Sequence, residues 1–189
     1  MKKLYSIALI LMLSALSAVA QNISINTNVV AAIDGAANLG VGYALNDTKS
    51  IHLSTSIRQW GESEDSVNKY WSTQSEFRWW TCQKFNGSFF GIYTQGGQYK
   101  VGGKSYPFGI ASDVEEHCFD GWLAGGGVSY GYSWMLGRSW NIEASVGLGY
   151  NYLKYTEYET PIKSSEIIGD GDHHYFGANK CSINIVYLF

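Results

Sequence analysis

Strict alternation of apolar with polar or small residues between Trp140 and Tyr152 limits the possible folds of this chain more than any other feature. Every second residue there is apolar: Trp140, Ile142, Ala144, Val146, Leu148, Tyr150 and Tyr152. The residues between them are Asn141, Glu143, Ser145, Gly147, Gly149 and Asn151. Because successive side chains of a strand lie on opposite faces, this period of two predicts a β-strand with one apolar face. The stretch from Trp122 to Trp134 alternates in the same way.

Weaker alternation predicts six further strands, for a total of eight: Ile23–Ile33, Asn38–Leu45, Ile51–Trp60, Tyr70–Thr81, Ser88–Gln98 and Tyr175–Phe189. Three of the connections are short: Asn46–Ser50, Cys82–Gly87 and Met135–Ser139. Three connections at the other end are long: Gly61–Lys69, Tyr99–Asp120 and Tyr155–His174. Asp34–Ala37, at the same end as these loops, is a short exception. An even number of strands, with short periplasmic turns and long outer loops, is typical of bacterial outer-membrane barrels.

The apolar stripes have the length and the aromatic ends that a membrane-spanning strand needs. Twelve steps of about 3.4 Å at a tilt of roughly 40° cover about 30 Å, enough for the apolar band and two aromatic girdles. A soluble lipocalin-like barrel with its apolar face turned inward is the rival interpretation, because alternation alone fits both. Aromatic residues at the ends of the apolar stripes and a glycine-rich opposite face favour the membrane barrel over the soluble one. The predicted aromatic girdle consists of Trp71, Trp79, Trp122, Trp134, Trp140, Tyr150, Tyr152, Tyr187 and Phe189.

The first twenty residues have the pattern of a secretory signal peptide. Lys2 and Lys3 precede an apolar run, and small residues end at Ala20 before Gln21, so we expect residues 1–20 to be cleaved and residues 21–189 to form the barrel domain. Loss of the two lysines changes the net charge from −3 to −5, which argues against nucleic-acid binding. After Gln21 there is no apolar run long enough for a membrane helix.

The interior of the predicted barrel contains a set of charged side chains. Alternation assigns these residues to the lumen: His52, Arg58, Glu76, Arg78, Glu143 and Lys180. Buried charges are costly unless they are paired. Arg78 and Glu143 each lie four residues from a turn at the same rim, so we predict that they form an ion pair, with Glu76 as a second acceptor. The set either gates a narrow conduit or forms a polar plug, and the small interior of eight strands favours the plug.

A series of motifs runs along the chain at 75–80, 85–89, 96–103, 107–109, 121–123, 129–132, 140–144 and 175–177. Together they resemble the uncharacterised Bacteroidota outer-membrane β-barrel family filed as domain of unknown function 3575. This resemblance covers nearly all of the mature chain and implies a small outer-membrane barrel without an established activity or catalytic residues. Some relatives are encoded near surface-fimbria genes, which implies a possible fimbrial partner. Many carry a cysteine pair in the last long loop, where this chain has Glu159-Thr160-Pro161.

Other candidate sites carry weaker signals. The string Asp170, Asp172, His173 and His174 offers ligands that suit zinc or copper, although a solvated loop produces the same composition, and no metal is predicted. The glycines at 125–127 lie within a strand without a following helix, so they form no phosphate loop and no cofactor is predicted. Cys82, Cys118 and Cys181 are expected to be free, at the periplasmic rim, in an outer loop and on the lipid face respectively.

The sequence predicts a non-enzymatic role in surface interaction, adhesion or fimbria association, or envelope structure, carried by the long loops, which hold twelve of the sixteen acids. The expected partners are outer-membrane lipid, an extracellular protein, and the barrel assembly machinery, which would recognise the terminal Tyr187 and Phe189. A narrow pore or a small-molecule or lipid-binding transport barrel is the alternative. A lipid-modifying enzyme at the rim would need a lipid-facing histidine beside a hydroxyl, and no histidine is predicted on that face.

Overall fold

A computed structural model describes residues 22–59, 67–102, 118–158 and 167–189. These residues form eight β-strands and one short helix: β1 (Ile23–Asn28), α1 (Val29–Ile33), β2 (Ala37–Asn46), β3 (Lys49–Arg58), β4 (Val67–Trp80), β5 (Gly87–Gly102), β6 (Cys118–Met135), β7 (Trp140–Tyr158) and β8 (Ile167–Leu188). Each strand pairs antiparallel with its neighbours along the chain, and β1 also pairs with β8, so that one sheet closes on itself. The predicted eight-stranded antiparallel fold is therefore confirmed.

The alternation of the sequence appears in the structure as two faces. Apolar side chains such as Leu148 and Val146 on β7 are exposed on the outside, while the alternate residues Glu143 and Ser145 are buried inside. No helix among the described residues is long and apolar enough to cross a membrane.

The second half of the predicted first strand is a helix instead. Asn28 ends β1, and its side chain accepts a hydrogen bond from the backbone N–H of Val30 at 3.0 Å. This is the capping arrangement that starts helices, and the capped helix α1 then reaches Ile33. The alternation that predicted a strand through Ile33 reports only which face each residue occupies and contains no information about this cap.

The last three strands are longer than predicted and extend beyond the aromatic positions at which alternation was expected to end. As a result, four acids assigned to loops lie in strands: Asp120 in β6, Glu157 in β7, and Asp170 and Asp172 in β8. Continued pairing between β6, β7 and β8 explains the extension, because each added residue satisfies backbone groups of its neighbour. The other acids of the long connections lie in 60–66, 103–117 and 159–166, outside the described residues.

A β-bulge in β8 changes which residues face outward. Gly147 pairs with Lys180, but the next residue, Leu148, pairs with Ala178, so Asn179 is the extra residue. A bulge of one residue shifts every later side chain to the other face. Consequently His174 is exposed opposite the outward Tyr152.

Candidate functional site

Four charged side chains form a layer across the interior, which we call the charge layer: Glu76, Arg78, Glu143 and Lys180. Arg78 on β4 donates from Nε to Glu76 Oε2 at 2.7 Å and from Nη1 to Glu143 Oε2 on β7 at 2.8 Å. Both contacts were predicted from strand positions and are confirmed. Lys180 on β8 donates from Nζ to Glu76 Oε1 at 2.5 Å.

Neutral donors complete the hydrogen bonding of the two carboxylates. Ser129 Oγ donates to Glu76 Oε1 at 2.5 Å, and Asn184 Nδ2 donates to Glu143 Oε1 at 3.0 Å. Glu76, Arg78 and Glu143 are each less than 5% exposed. Two acids and two bases balance in charge, so the layer meets the condition under which buried charges are tolerated, namely mutual pairing with further hydrogen bonds.

Two residues assigned to the same charged set do not join it. Arg58 lies at the far end of β3, where its Nη1 is 3.2 Å from Asp34 Oδ1. The alternation placed Arg58 on the correct face, but it carried no information about the position of Arg58 along the barrel axis. His52 is buried beside the layer, and its Nε2 lies 2.9 Å from Ser50 Oγ, so it forms a neutral hydrogen bond instead of an ion pair.

Below the charge layer, the interior is closed by an apolar cluster that we call the aromatic plug: Ala44, Trp80, Phe85 and Phe89, with Leu188 packed against them. The guanidinium of Arg78 lies 4.3 Å from the centre of the Phe89 ring, so the two layers are in direct contact. The plug lies at the end of the barrel where the short turns connect β4 to β5 and β6 to β7.

Phe85 enters this plug from the turn between β4 and β5, a position that alternation did not predict. It adopts φ 61°, a conformation that non-glycine residues rarely adopt. Ser133 Oγ and Asn141 Nδ2 both donate to its carbonyl oxygen, at 3.0 and 2.6 Å. These two bonds from neighbouring strands hold the backbone, while the ring lies edge-on to Trp80 with centroids 5.9 Å apart. An aromatic residue within the short connection before Asn86-Gly87 was the only local signal.

Above the charge layer, the interior opens into a polar space, which we call the upper cavity. It has a volume of about 590 Å³ and reaches from His52 and Arg78 to Asn68, Tyr70 and Tyr99 at the long-loop end. None of the residues of the aromatic plug lines it. Among the described residues, the cavity therefore extends toward the long-loop end of the barrel and is closed by charged and then apolar side chains at the other.

One wall of the upper cavity is cross-linked by side chains around the bulge. Asn179 donates from Nδ2 to Asn151 Oδ1 at 3.0 Å, and Gln95 Nε2 donates to the same oxygen at 2.9 Å. The Tyr93 hydroxyl donates to Asn179 Oδ1. Because the bulge adds Asn179 beside Lys180, both side chains line the cavity.

The predicted girdle residues lie on the outer face in two groups. Near the short turns, Trp140 contacts Tyr187 and Tyr187 contacts Phe189, with centroids 4.9 and 5.1 Å apart. Trp79 and Trp134 belong to the same end. At the other end, the ring centroids of Trp122 and Tyr152 are 5.5 Å apart. The exposed side chains of Trp71 and Tyr150 complete this second group.

The candidate metal ligands do not form a cluster. Asp170, Asp172, His173 and His174 belong to β8 instead of a loop, so alternation places His173 on the face opposite the other three. Among the described residues there is no group of three or more potential metal ligands.

The same strand corrects the expectation that the outer face lacks histidine. His174 lies outside, where its Nδ1 is hydrogen-bonded to the Tyr150 hydroxyl and its Nε2 is 3.3 Å from Asp172 Oδ2. Its ring also lies 5.1 Å from that of Tyr152. The bulge at Asn179 is the reason, since without it His174 would face inward.

The three cysteines are free, but one of them is not where it was expected. Cys82 is exposed at a short turn and Cys181 is exposed on the outer face, as predicted. Cys118 was assigned to an outer loop, whereas it begins β6 and is 1% exposed. At this level Cys118 pairs with Gly102 on β5 and with Tyr158 on β7.

Comparison with known proteins identifies a family. The family described as "Protein of unknown function (DUF3575)" matches residues 6–189, nearly the whole chain. No curated protein and no solved structure shows significant similarity to this chain.

Proposed function

Since this chain belongs to the family of proteins of unknown function DUF3575, whose description includes no activity, its function has to be inferred from its geometry. We propose that it is a non-enzymatic barrel of the bacterial outer membrane, closed to passage, that presents its long-loop end to the cell exterior. Its role there is a surface interaction, such as adhesion or fimbria association, or the support of the envelope.

The outer face supports the membrane location. Apolar side chains cover it between the two aromatic groups, and many are more than 40% exposed: Leu39, Val41, Ile51, Leu53, Phe90, Ile92, Val128, Val146 and Leu148. Such a continuous apolar surface is unfavourable in water and matches the lipid-facing band of outer-membrane barrels. The eight described strands also close into one ring, so each is paired on both sides, which lipid requires.

The unequal connections support the orientation. Residues 60–66, 103–117 and 159–166 join strands at the end where the upper cavity opens, and the sequence places eight of the sixteen acids there. The opposite end has connections as short as Asp47–Thr48. In outer-membrane barrels, short turns face the periplasm and longer loops face outward. The end with the long, acidic connections is therefore the one available to an extracellular partner.

The interior supports a closed barrel over the alternative of a narrow pore. An ion entering through the upper cavity would meet the paired charge layer and then the aromatic plug. Eight strands leave an interior just wide enough for side chains to fill. The single observation that carries the proposal is this double closure inside a barrel whose outer face is apolar.

The test combines location with conductance. We expect the folded protein in the outer-membrane fraction, beginning at Gln21 after loss of residues 1–20, and without steady conductance in planar bilayers. The variant Phe85→Gly with Arg78→Ala removes one large side chain from each closure and should conduct, whereas Phe90→Ala on the outer face should not. Steady wild-type conductance would favour the pore, and recovery in the soluble fraction would contradict the membrane location.

A second candidate, a lipid-modifying enzyme at the outer rim, is favoured by one observation. The Tyr150 hydroxyl, His174 and Asp172 form a chain of hydroxyl, imidazole and carboxylate at the level of the outer aromatic group. Such a chain is an arrangement that can activate a hydroxyl. Mass spectra of outer-membrane lipid from cells with the wild type, with His174→Ala and without the gene test it. Identical spectra exclude this candidate, whereas a change dependent on His174 replaces the non-enzymatic proposal.

A further inference from the structure

We propose that the upper cavity is a binding site for a neutral polyhydroxylated molecule, such as a monosaccharide or disaccharide. Its volume of about 590 Å³ falls in the range of small-molecule sites, about 300–1,000 Å³. This inference rests on the proposed function only in that the charge layer must close the lower end of the site. It adds a ligand class to that proposal.

The lining has the chemistry that hydroxyl-rich ligands require. Side-chain amides and hydroxyls predominate in its inner wall, including Asn38, Ser54, Ser56, Gln74, Gln95 and Asn179. An amide offers both donors and acceptors, and a serine hydroxyl offers both as well. Sugar hydroxyls likewise donate and accept, so each can be satisfied in such a wall. Ser54 and Gln74 remain partly exposed in the cavity, and an apolar ligand would bury them without partners, which is costly.

The charges of the cavity exclude a strongly ionic ligand. Glu76 and Lys180 are paired with each other at the bottom, and Asp34 is paired with Arg58 at the opening. Arg78 is held by two carboxylates. No surplus charge of either sign therefore remains among the described lining residues to compensate a bound anion or cation.

His52 adds a polar ring beside the charge layer at the deep end of the cavity. The Trp80 indole N–H donates to Ser50 Oγ at 2.8 Å, and Ser50 Oγ is hydrogen-bonded to His52 Nε2, 2.9 Å away. Because a serine oxygen can accept two hydrogen bonds as well as donate one, this network fits either tautomer of His52. His52 is 6% exposed and lines the cavity, and its Nδ1 is buried without a partner among the described residues.

The test measures binding of defined probes to the folded full-length mature chain. The protein is kept in a detergent without a sugar headgroup, such as lauryldimethylamine oxide, and saturation-transfer NMR is recorded with glucose, N-acetylglucosamine and maltose. Phosphocholine and decanoate serve as ionic probes, the first with a polar body and the second with an apolar chain. We expect transfer to at least one saccharide and to neither of the other probes.

Matched variants locate the binding site. Ser54→Tyr places a large side chain in the cavity, whereas Ser75→Tyr places the same side chain on the outer face of the neighbouring strand. We expect Ser54→Tyr to weaken saccharide binding about tenfold or more, through lost space and hydrogen bonds, and Ser75→Tyr to leave it unchanged. Gln74→Leu, which preserves approximate volume, should weaken binding too and serves if Ser54→Tyr does not fold.

Three results would overturn the inference: no transfer to any saccharide, preference for decanoate or phosphocholine, or saccharide binding unaffected by Ser54→Tyr and Gln74→Leu. Its failure is separable from failure of the proposed function. A non-conducting outer-membrane protein without saccharide binding retains the proposed function, whereas saccharide binding by a conducting protein retains only the site.

Discussion

Arg78 on β4 and Glu143 on β7 meet across the interior of the barrel, with 2.8 Å between Nη1 and Oε2. The strands that carry them are separated by β5 and β6, so the ion pair connects walls that share no backbone hydrogen bonds. Because Arg78 also bonds Glu76 on its own strand, one guanidinium joins two buried carboxylates, and Lys180 supplies the second positive charge. This arrangement makes Arg78 the side chain on which the charge layer depends most.

Replacing Arg78 with methionine should destabilise the folded barrel strongly. The change leaves Glu143 buried without a cation, and breaking a buried pair in this way costs about 3–5 kcal/mol. Urea unfolding in detergent, followed by tryptophan fluorescence, measures the free energy of unfolding. Adding Glu143→Gln to Arg78→Met should restore part of the loss, because it removes the uncompensated charge.

The control is Lys100→Ala, which removes a pair with Asp120 at 3.6 Å in which both side chains are about half exposed, 46% and 48%. Surface pairs of this kind contribute about 0–1 kcal/mol. Equal losses for Arg78→Met and Lys100→Ala would contradict the buried role of the charge layer.

Gly131 is required by the packing of the aromatic plug. A Cβ built there would lie 2.4 Å from Phe89 Cζ and 2.8 Å from the carbonyl oxygen of Ala144. Gly131→Ala should therefore cost about 1–3 kcal/mol through overpacking. Gly137→Ala is the matched control, since a Cβ there meets nothing within 4 Å. We expect the control to stay within about 0.5 kcal/mol of the wild type in the same urea titration.

Cysteine labelling tests the proposed orientation. Cys82 is exposed at a short turn, so a membrane-impermeant maleimide added to whole cells should not reach it until the outer membrane is permeabilised. Labelling is assigned to each cysteine by peptide mass spectrometry. Modification of Cys82 in intact cells would mean that the short turns face outward.

The rate at which maleimide labels Cys118 should depend on pH. It lies four residues beyond Trp122 at the long-loop end, and burial raises the pKa of its thiol above the ordinary value. Only the thiolate reacts, so a raised pKa lowers the reactive fraction near neutral pH. In detergent, labelling of Cys118 should therefore be slower than that of Cys82 at pH 7.5. It should accelerate as the pH rises toward the raised pKa, whereas fast labelling at pH 7.5 would contradict the burial.

The terminal Phe189 should matter for assembly in cells and little for folded stability. Its side chain is 53% exposed, and its backbone N–H donates to Ile23 O at 3.2 Å, a bond that substitution preserves. Phe189→Ser should refold in detergent like the wild type but accumulate several-fold less in the outer membrane, measured by immunoblot of fractions. Phe176→Ser, at an outer aromatic that is 82% exposed, is the control. Equal accumulation of both variants would argue against recognition of the terminus.

Local periodicity alone determined the larger part of the fold. The alternation from Trp140 to Tyr152 assigned Glu143 to the interior, and the distance of Arg78 and Glu143 from their turns placed them at equal height. Both inferences need only the two-residue repeat of a strand and its fixed rise per residue, which are properties of the chain itself.

Tertiary structure decided the features that depend on neighbours. The bulge at Asn179 exists only as a mismatch between β7 and β8, and it alone moves His174 to the outer face and Asn179 into the upper cavity. Phe85 is held in its rare conformation by Ser133 and Asn141, which lie far from it in sequence. A linear pattern records which face a residue prefers within its own strand. It does not record inter-strand register or long-range hydrogen bonds, and these closed the barrel at one end and shaped its cavity at the other.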